Sequence, residues 1–297
     1  MELLASRKIR LLMTVAVALL GGYLFHLVHL PLPWLLGTIT FTMVWKFAFR
    51  RDIECHKSFR PAALLIIGYN IGSSFTRETG SLLAQHLPYM LISTLLTVGA
   101  SYLIMLLMLK LLKANLMTSI LSCVPGGISI ATMLAQESRS ANVTVVVFSQ
   151  TMRILAIIYT VPFLVVHMVE AKPLPITVPD AGTAGAAGWH VPVLIVLASL
   201  ACARLLKKFS LPVPELLGTV AAIIILVYCG VEVPALPDMI VIAAQMMMGI
   251  SLADSMTLEG LSNWRKLAPF TVITSFFLVM ACLGIAYLLT VMTSLDF

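Results

Sequence analysis

The sequence predicts an all-α fold: a polytopic transmembrane helix bundle built from two inverted repeats, with a broken or re-entrant helix. Three observations carry this prediction. Of the 297 residues, 60% are hydrophobic and only 11% are charged, with a mean hydropathy of +1.02; a soluble domain carries about 25% charge. Apolar runs of helix length recur along the whole chain, separated by short basic clusters. A nine-residue motif beginning at Leu30 returns at Leu211.

A chain this poor in charge cannot cover a water-facing surface, which excludes a soluble enzyme, a free-standing DNA-binding module and a disordered protein. The net charge of +6 is no nucleic-acid footprint, because the lysines and arginines sit between apolar runs and not on one patch. The runs fall at 11–29, 33–49, 61–76, 87–109, 116–136, 142–168, 191–206, 214–231, 239–254 and 268–293. Crossing the hydrocarbon takes about 20 helical residues; runs 61–76, 191–206 and 239–254 are short. Arg7, Lys8 and Arg10 before a long apolar run resemble a signal peptide, but the run is long and no small-x-small cleavage site ends it. A retained first helix is the expectation.

Orientation follows from the basic residues. Arg7, Lys8, Arg10, Lys46, Arg50, Arg51, Lys57, Arg60, Lys110, Lys113, Arg139, Arg204, Lys207, Lys208, Arg265 and Lys266 fall on one face if segment 116–138 enters the membrane and returns. Arg77 and Lys172 are then outside and Arg153 is within the bilayer. A full crossing of 116–138 would put the later clusters on the wrong side. The expectation is nine crossings and one hairpin, in a bacterial inner membrane with a cytoplasmic N-terminus. The five cysteines form no C-x-x-C pair and read as small core residues.

Leu30-Pro31-Leu32-Pro33-Trp34-Leu35-Leu36-Gly37-Thr38 matches Leu211-Pro212-Val213-Pro214-Glu215-Leu216-Leu217-Gly218-Thr219 at seven of nine positions, 181 residues apart. Gly37 precedes Pro88 by the same 51 residues that separate Gly218 from Pro269. Between them Ile71-Gly72-Ser73-Ser74 and Met248-Gly249-Ile250-Ser251 are similar, though displaced by four. Two halves of one ancestral unit are expected, and the charge map gives them opposite orientations, a signature of secondary transporters. The division is 1–169, a first repeat; 170–190, an extracytoplasmic linker; and 191–297, a second repeat. The first repeat contains Pro125-Gly126-Gly127; adding 181 to Pro125 overshoots Phe297, so the second is expected to be C-terminally shortened. Pro31, Pro33, Gly37, Pro212, Pro214 and Gly218, with Pro125, are structural candidates. Each Pro-x-Pro makes a rigid break before a helix.

Arg153 lies in the apolar stretch 141–169, roughly 18 Å deep at 1.5 Å per residue. A mid-membrane arginine is costly unless paired or hydrated. Gln150 is three positions earlier on the same face. Two readings of the pair stand side by side: contact with an anion or polar substrate, and a structural grip on helix-end carbonyls. Gly126 and Gly127 allow close backbone approach, and a helix restarting at Ile128 would offer free N–H groups to an anion. Ser129 and Thr132 would share its face; a plain kink is the alternative. Asn70 and Gln245, in the short spans, complete the substrate-binding candidates. Met246-Met247-Met248 reads as packing, Asp254 and Glu215 as interfacial, and His26 and His29 as reaching the headgroups. No metal cluster, nucleophile elbow or phosphate loop is visible, so no catalytic residue, metal or cofactor is expected.

On the Leu-Pro-x-Pro-x-Leu-Leu-Gly repeats, Cys123-Val124-Pro125-Gly126-Gly127 and Gln150-x-x-Arg153, the chain resembles the AbrB family of bacterial integral membrane proteins, duplicated proteins often labelled AidB regulators or ammonia monooxygenases. The resemblance runs from about residue 10 to the end. That family usually carries Pro-Gly-Gly and Gln-x-x-Arg in both halves; here only the first set exists. Ile130 stands where an acidic residue is frequent, and Ser140-Ala141-Asn142 where the family has Gly-Ala-Asp. The soluble transition-state regulator sharing the family's name is an unrelated DNA-binding protein. The expectation is a secondary-transporter-like protein, not an enzyme, carrying a small polar or anionic solute. Its partners would be that solute and the lipid bilayer, without direct nucleic acid binding, and a homodimer is left open. The alternative is a membrane regulator or sensor acting on gene expression indirectly.

Overall fold

A computed structural model describes residues 7–49, 53–75, 77–113, 115–124, 128–138, 140–168, 190–209, 211, 213–231, 233–255 and 264–293. These residues form eleven α-helices and, among them, no strand. In chain order they are α1 (Arg7–Leu27), α2 (Pro33–Ala48), α3 (Phe59–Ser73), α4 (Arg77–Leu112), α5 (Leu116–Cys123), α6 (Ile128–Glu137), α7 (Val143–Met168), α8 (His190–Lys208), α9 (Pro214–Tyr228), α10 (Asp238–Ser255) and α11 (Trp264–Thr293). Nine of the ten apolar runs become one helix each. The run at 116–136 becomes α5 and α6, interrupted where Pro125-Gly126-Gly127 stands, outside the described residues.

Five of the helices are long and apolar enough to cross a membrane. Leucines and phenylalanines such as Leu12, Leu95, Leu103 and Phe277 are more than 60% exposed. In water such a surface would aggregate; in lipid it is the correct outer coat. The chain is a multi-pass membrane protein. Its helices fall into two compact units, each drawing on two stretches of chain: 1–84 with 172–254, and 85–171 with 255–297.

In the first unit α1 packs on α2 and α8 packs on α9, and both pairs turn on the same backbone device. Leu32 has φ 47° and ψ 53°, Val213 φ 50° and ψ 54°, and Pro33 and Pro214 then open α2 and α9. Left-handed backbone at a leucine and a β-branched valine is unfavourable, so its recurrence at positions 181 apart marks a turn that both sequences specify. Pro212 lies outside the described residues. Small residues let the paired helices approach, as they do in bilayers, where apolar burial supplies little. A Cβ on Gly37 would collide with the Gly21 carbonyl, and one on Gly218 would lie 2.5 Å from Ala203 Cα. His26 stacks on Trp34 at 6.0 Å.

The glycines also set the register of the repeat. A Cβ on Gly68 in α3 would meet the Leu216 carbonyl at 2.9 Å and Thr219 Cβ at 3.0 Å in α9. A Cβ on Gly249 in α10 would meet the Leu35 carbonyl at 3.2 Å and Thr38 Cβ at 2.9 Å in α2. All three equivalences hold at an offset of 181. The contacts account for the four-residue displacement between Ile71–Ser74 and Met248–Ser251: at that offset Gly249 answers to Gly68, one helical turn before Gly72. The sequence offered two glycines on one face, and only packing separates them. Gly72 abuts Ile223, and its counterpart Ala253 is fully buried.

Candidate functional site

The second unit holds the broken helix. Asn115 Nδ2 donates to the Ser140 carbonyl at 3.0 Å, and the Asn142 N–H donates to Thr118 Oγ1 at 2.9 Å. The beginning of α5 is thereby tied to the residues that follow α6. The chain goes out along α5, breaks, and comes back along α6; it is a hairpin. Eight residues of α5 at 1.5 Å each make it about 12 Å deep. Ala131 and Ala135 of α6 pack on Val146 of α7, and Asn142 Oδ1 caps α7 by accepting from the Val145 N–H.

A helix that stops at Cys123 leaves carbonyls without partners, and in lipid no water can satisfy them. The side chains of Gln150 and Arg153 on α7 do so. Gln150 Nε2 donates to the carbonyls of Leu121 (2.6 Å) and Val124 (3.2 Å). Arg153 Nη1 donates to those of Cys123 (2.9 Å) and Val124 (3.2 Å), and Nη2 donates to Gln150 Oε1 at 2.5 Å. Gln150 is 1% exposed and Arg153 7%. A cation at the C-terminal end of a helix also meets the negative end of its dipole. Of the two readings of Gln150-x-x-Arg153, the grip on carbonyls is formed in the structure.

The same arginine borders a cavity of about 20 Å³, lined by Ser122, Cys123, Ser149, Thr271 and Ser275 together with Arg153. Ser149 and Arg153 are four apart on α7, as are Thr271 and Ser275 on α11, so each pair shares a helix face. Ser275 Oγ donates to the Thr271 carbonyl at 2.6 Å. The hydroxyl oxygens of Ser122, Ser149 and Thr271 are buried without a hydrogen-bond partner among the described residues. None of these hydroxyl residues was among the sequence candidates. The signal was available for Ser149, in step with Arg153, and for Ser122, beside the Pro-Gly-Gly break; Thr271 and Ser275 could be placed only by packing.

Other candidates are distributed differently. Pro125, Gly126 and Gly127 lie outside the described residues, as does the side chain of Ser129; Thr132 is half-buried on α6. Asn70, exposed on α3, and Gln245, half-buried on α10, belong to the first unit. That unit has its own larger cavity, about 540 Å³, lined by apolar residues including Leu65, Ile66, Ile195 and Pro234. Tyr69 donates to the Pro234 carbonyl at 2.6 Å at its edge. Burial, reinforced by the nearby Asp254 carboxylate, pushes the Cys55 thiol in the α2–α3 link up to about 11, which leaves it protonated and inert at neutral pH.

The family profile described as "Transition state regulatory protein AbrB" matches residues 34–297, which takes in the second Pro-x-Pro helix start, the hairpin and Arg153. The chain belongs to the AbrB family. A similar protein is the uncharacterized protein YhjN of Bacillus subtilis (strain 168), 24% identical over 234 residues, which cover 74% of this chain and 60% of YhjN. The chain thus spans less than two thirds of the length of that relative. No solved structure matches this chain.

Proposed function

We propose that this AbrB-family protein is a secondary transporter of the bacterial inner membrane, N-terminus cytoplasmic, moving a small polar or anionic solute past the Arg153–hairpin junction. The observation that carries the reading is the junction itself: a helix broken at membrane depth, its carbonyls held by a buried glutamine–arginine pair beside a polar cavity. Discontinuous helices near the midplane, at the meeting of inverted repeats, are how secondary transporters place polar groups inside lipid. The reciprocal contacts of Gly68 and Gly249, equivalent at a single offset, support a two-fold repeat. The sixteen basic residues, which share one face when segment 116–138 returns, support its inversion.

A reading as a membrane regulator draws on the family's description alone, and any effect on expression would be indirect. The test is solute uptake into proteoliposomes by wild type and Arg153→Lys. Lysine keeps the charge but loses the planar fork that reaches Cys123, Val124 and Gln150 at once. Uptake of one solute class, clearly reduced in the variant, is expected. Wild-type uptake no faster than that of protein-free liposomes, across anionic and polar solutes, contradicts transport.

A further inference from the structure

We propose that the cavity between Ser122, Ser149, Arg153 and Thr271 is a binding site for one small monovalent anion of halide size. Charge gives the sign of the ligand. Arg153 is buried, and the partners of its guanidinium nitrogens are neutral: two main-chain carbonyls and the Gln150 amide. Among the described residues, no carboxylate lies within salt-bridge distance of it. The dipole at the end of α5 offsets part of that positive charge and leaves the rest uncompensated in a low-dielectric interior.

Hydrogen bonding gives the chemistry. Ser122, Ser149 and Thr271 each bring a buried hydroxyl with no partner among the described residues, and all three line the cavity that Arg153 borders. Buried hydroxyls are ordinarily satisfied; three orphans around one hollow are donors waiting for an acceptor. A cation would be repelled by Arg153. A water would satisfy the hydroxyls and leave the charge. An anion does both.

Volume gives the size. About 20 Å³ is room for a group of roughly water size, which suits a monatomic anion better than a carboxylic acid, a sugar or phosphate. The proposal deepens the transport reading by naming the solute class at the same junction, and it rests on that reading only for its physiological meaning, since binding is measured without flux.

The experiment is a titration of the purified protein in detergent with sodium bromide against sodium gluconate, at constant sodium and ionic strength, following the thermal midpoint. Thr271→Val and Ser149→Ala each remove one hydroxyl and leave Gln150 and Arg153 in place, which avoids a variant that fails to fold. A saturable bromide-specific rise is expected. The half-saturating concentration should increase about tenfold for each lost donor, while the midpoint in gluconate stays within a few degrees of wild type. A wild-type response equal in the two salts means that water fills the cavity and overturns the proposal. So does an identical bromide response in both variants, because the ion then sits elsewhere. Bromide binding without bromide flux in proteoliposomes would sink transport and leave the site standing; flux of another solute with no bromide binding would do the reverse.

Discussion

At the scale of single residues, Arg153 and Gln150 act as one unit. Either side chain alone would leave part of the end of α5 bare: Gln150 alone reaches Leu121, Arg153 alone reaches Cys123, and Val124 accepts from both. Gln150→Leu keeps the volume and apolar stem but leaves the Leu121 carbonyl and Arg153 Nη2 without the partners that Gln150 supplies. The expected loss is about 1–3 kcal/mol of stability, the penalty for an unsatisfied buried group. Chemical or thermal unfolding in detergent reads it, and a loss below about 0.5 kcal/mol would mean that water reaches these groups. The sequence placed Arg153 at mid-depth and put Gln150 on its face, because helical spacing fixes both. It left contact with a substrate and a grip on carbonyls equally open. That choice depends on where the broken ends of another helix lie, which no local pattern encodes. Thr271 and Ser275 were missed for the same reason. On α11 they are two more small hydroxyl residues in an apolar run, and only the packing of α11 against α7 makes them neighbours of Arg153.

At the scale of helices, the bundle of the first unit is set by where backbones touch. Gly68 and Gly249 occupy equivalent contacts, so equivalent substitutions should behave alike. Gly68→Ala and Gly249→Ala each drive a Cβ toward a main-chain carbonyl, which cannot move aside as a flexible side chain would. Each is expected to destabilise by about 1–3 kcal/mol. Gly99→Ala in α4 is the control: nothing lies within 4 Å of its Cβ, so alanine's better helix propensity should leave stability equal or higher. Unfolding midpoints of the three variants check this, and a Gly249→Ala protein as stable as wild type would break the equivalence. Helix positions were legible from apolar periodicity, with ends within about four residues of the runs except at α4, which begins at Arg77, ten residues before its run. The displacement by four between the glycine motifs had no explanation in the sequence because Gly68 and Gly72 present the same face, and a contact with Thr219 or Ile223 is what tells them apart.

At the scale of the whole molecule, membrane residence was legible from composition, since 11% charge cannot clothe a water-facing surface. The assignment of helices to compact units was not. Each unit combines segments distant in sequence, whereas a linear reading divides the chain where the linker runs. Function at this scale depends on the path of the chain. If 116–138 crossed the membrane, the basic clusters from Arg139 onward would face the wrong side and the carbonyls gripped by Arg153 would belong to an ordinary kink. The direct measurement is labelling of single cysteines, placed at Lys113 and at Ser140 in a background without the five native ones, by an impermeant maleimide in sealed vesicles of known orientation. Both positions should react from the same face, the cytoplasmic one, while a cysteine placed at Thr177 reacts from the other. Reaction of the Lys113 and Ser140 positions from opposite faces would show a full crossing and contradict the account.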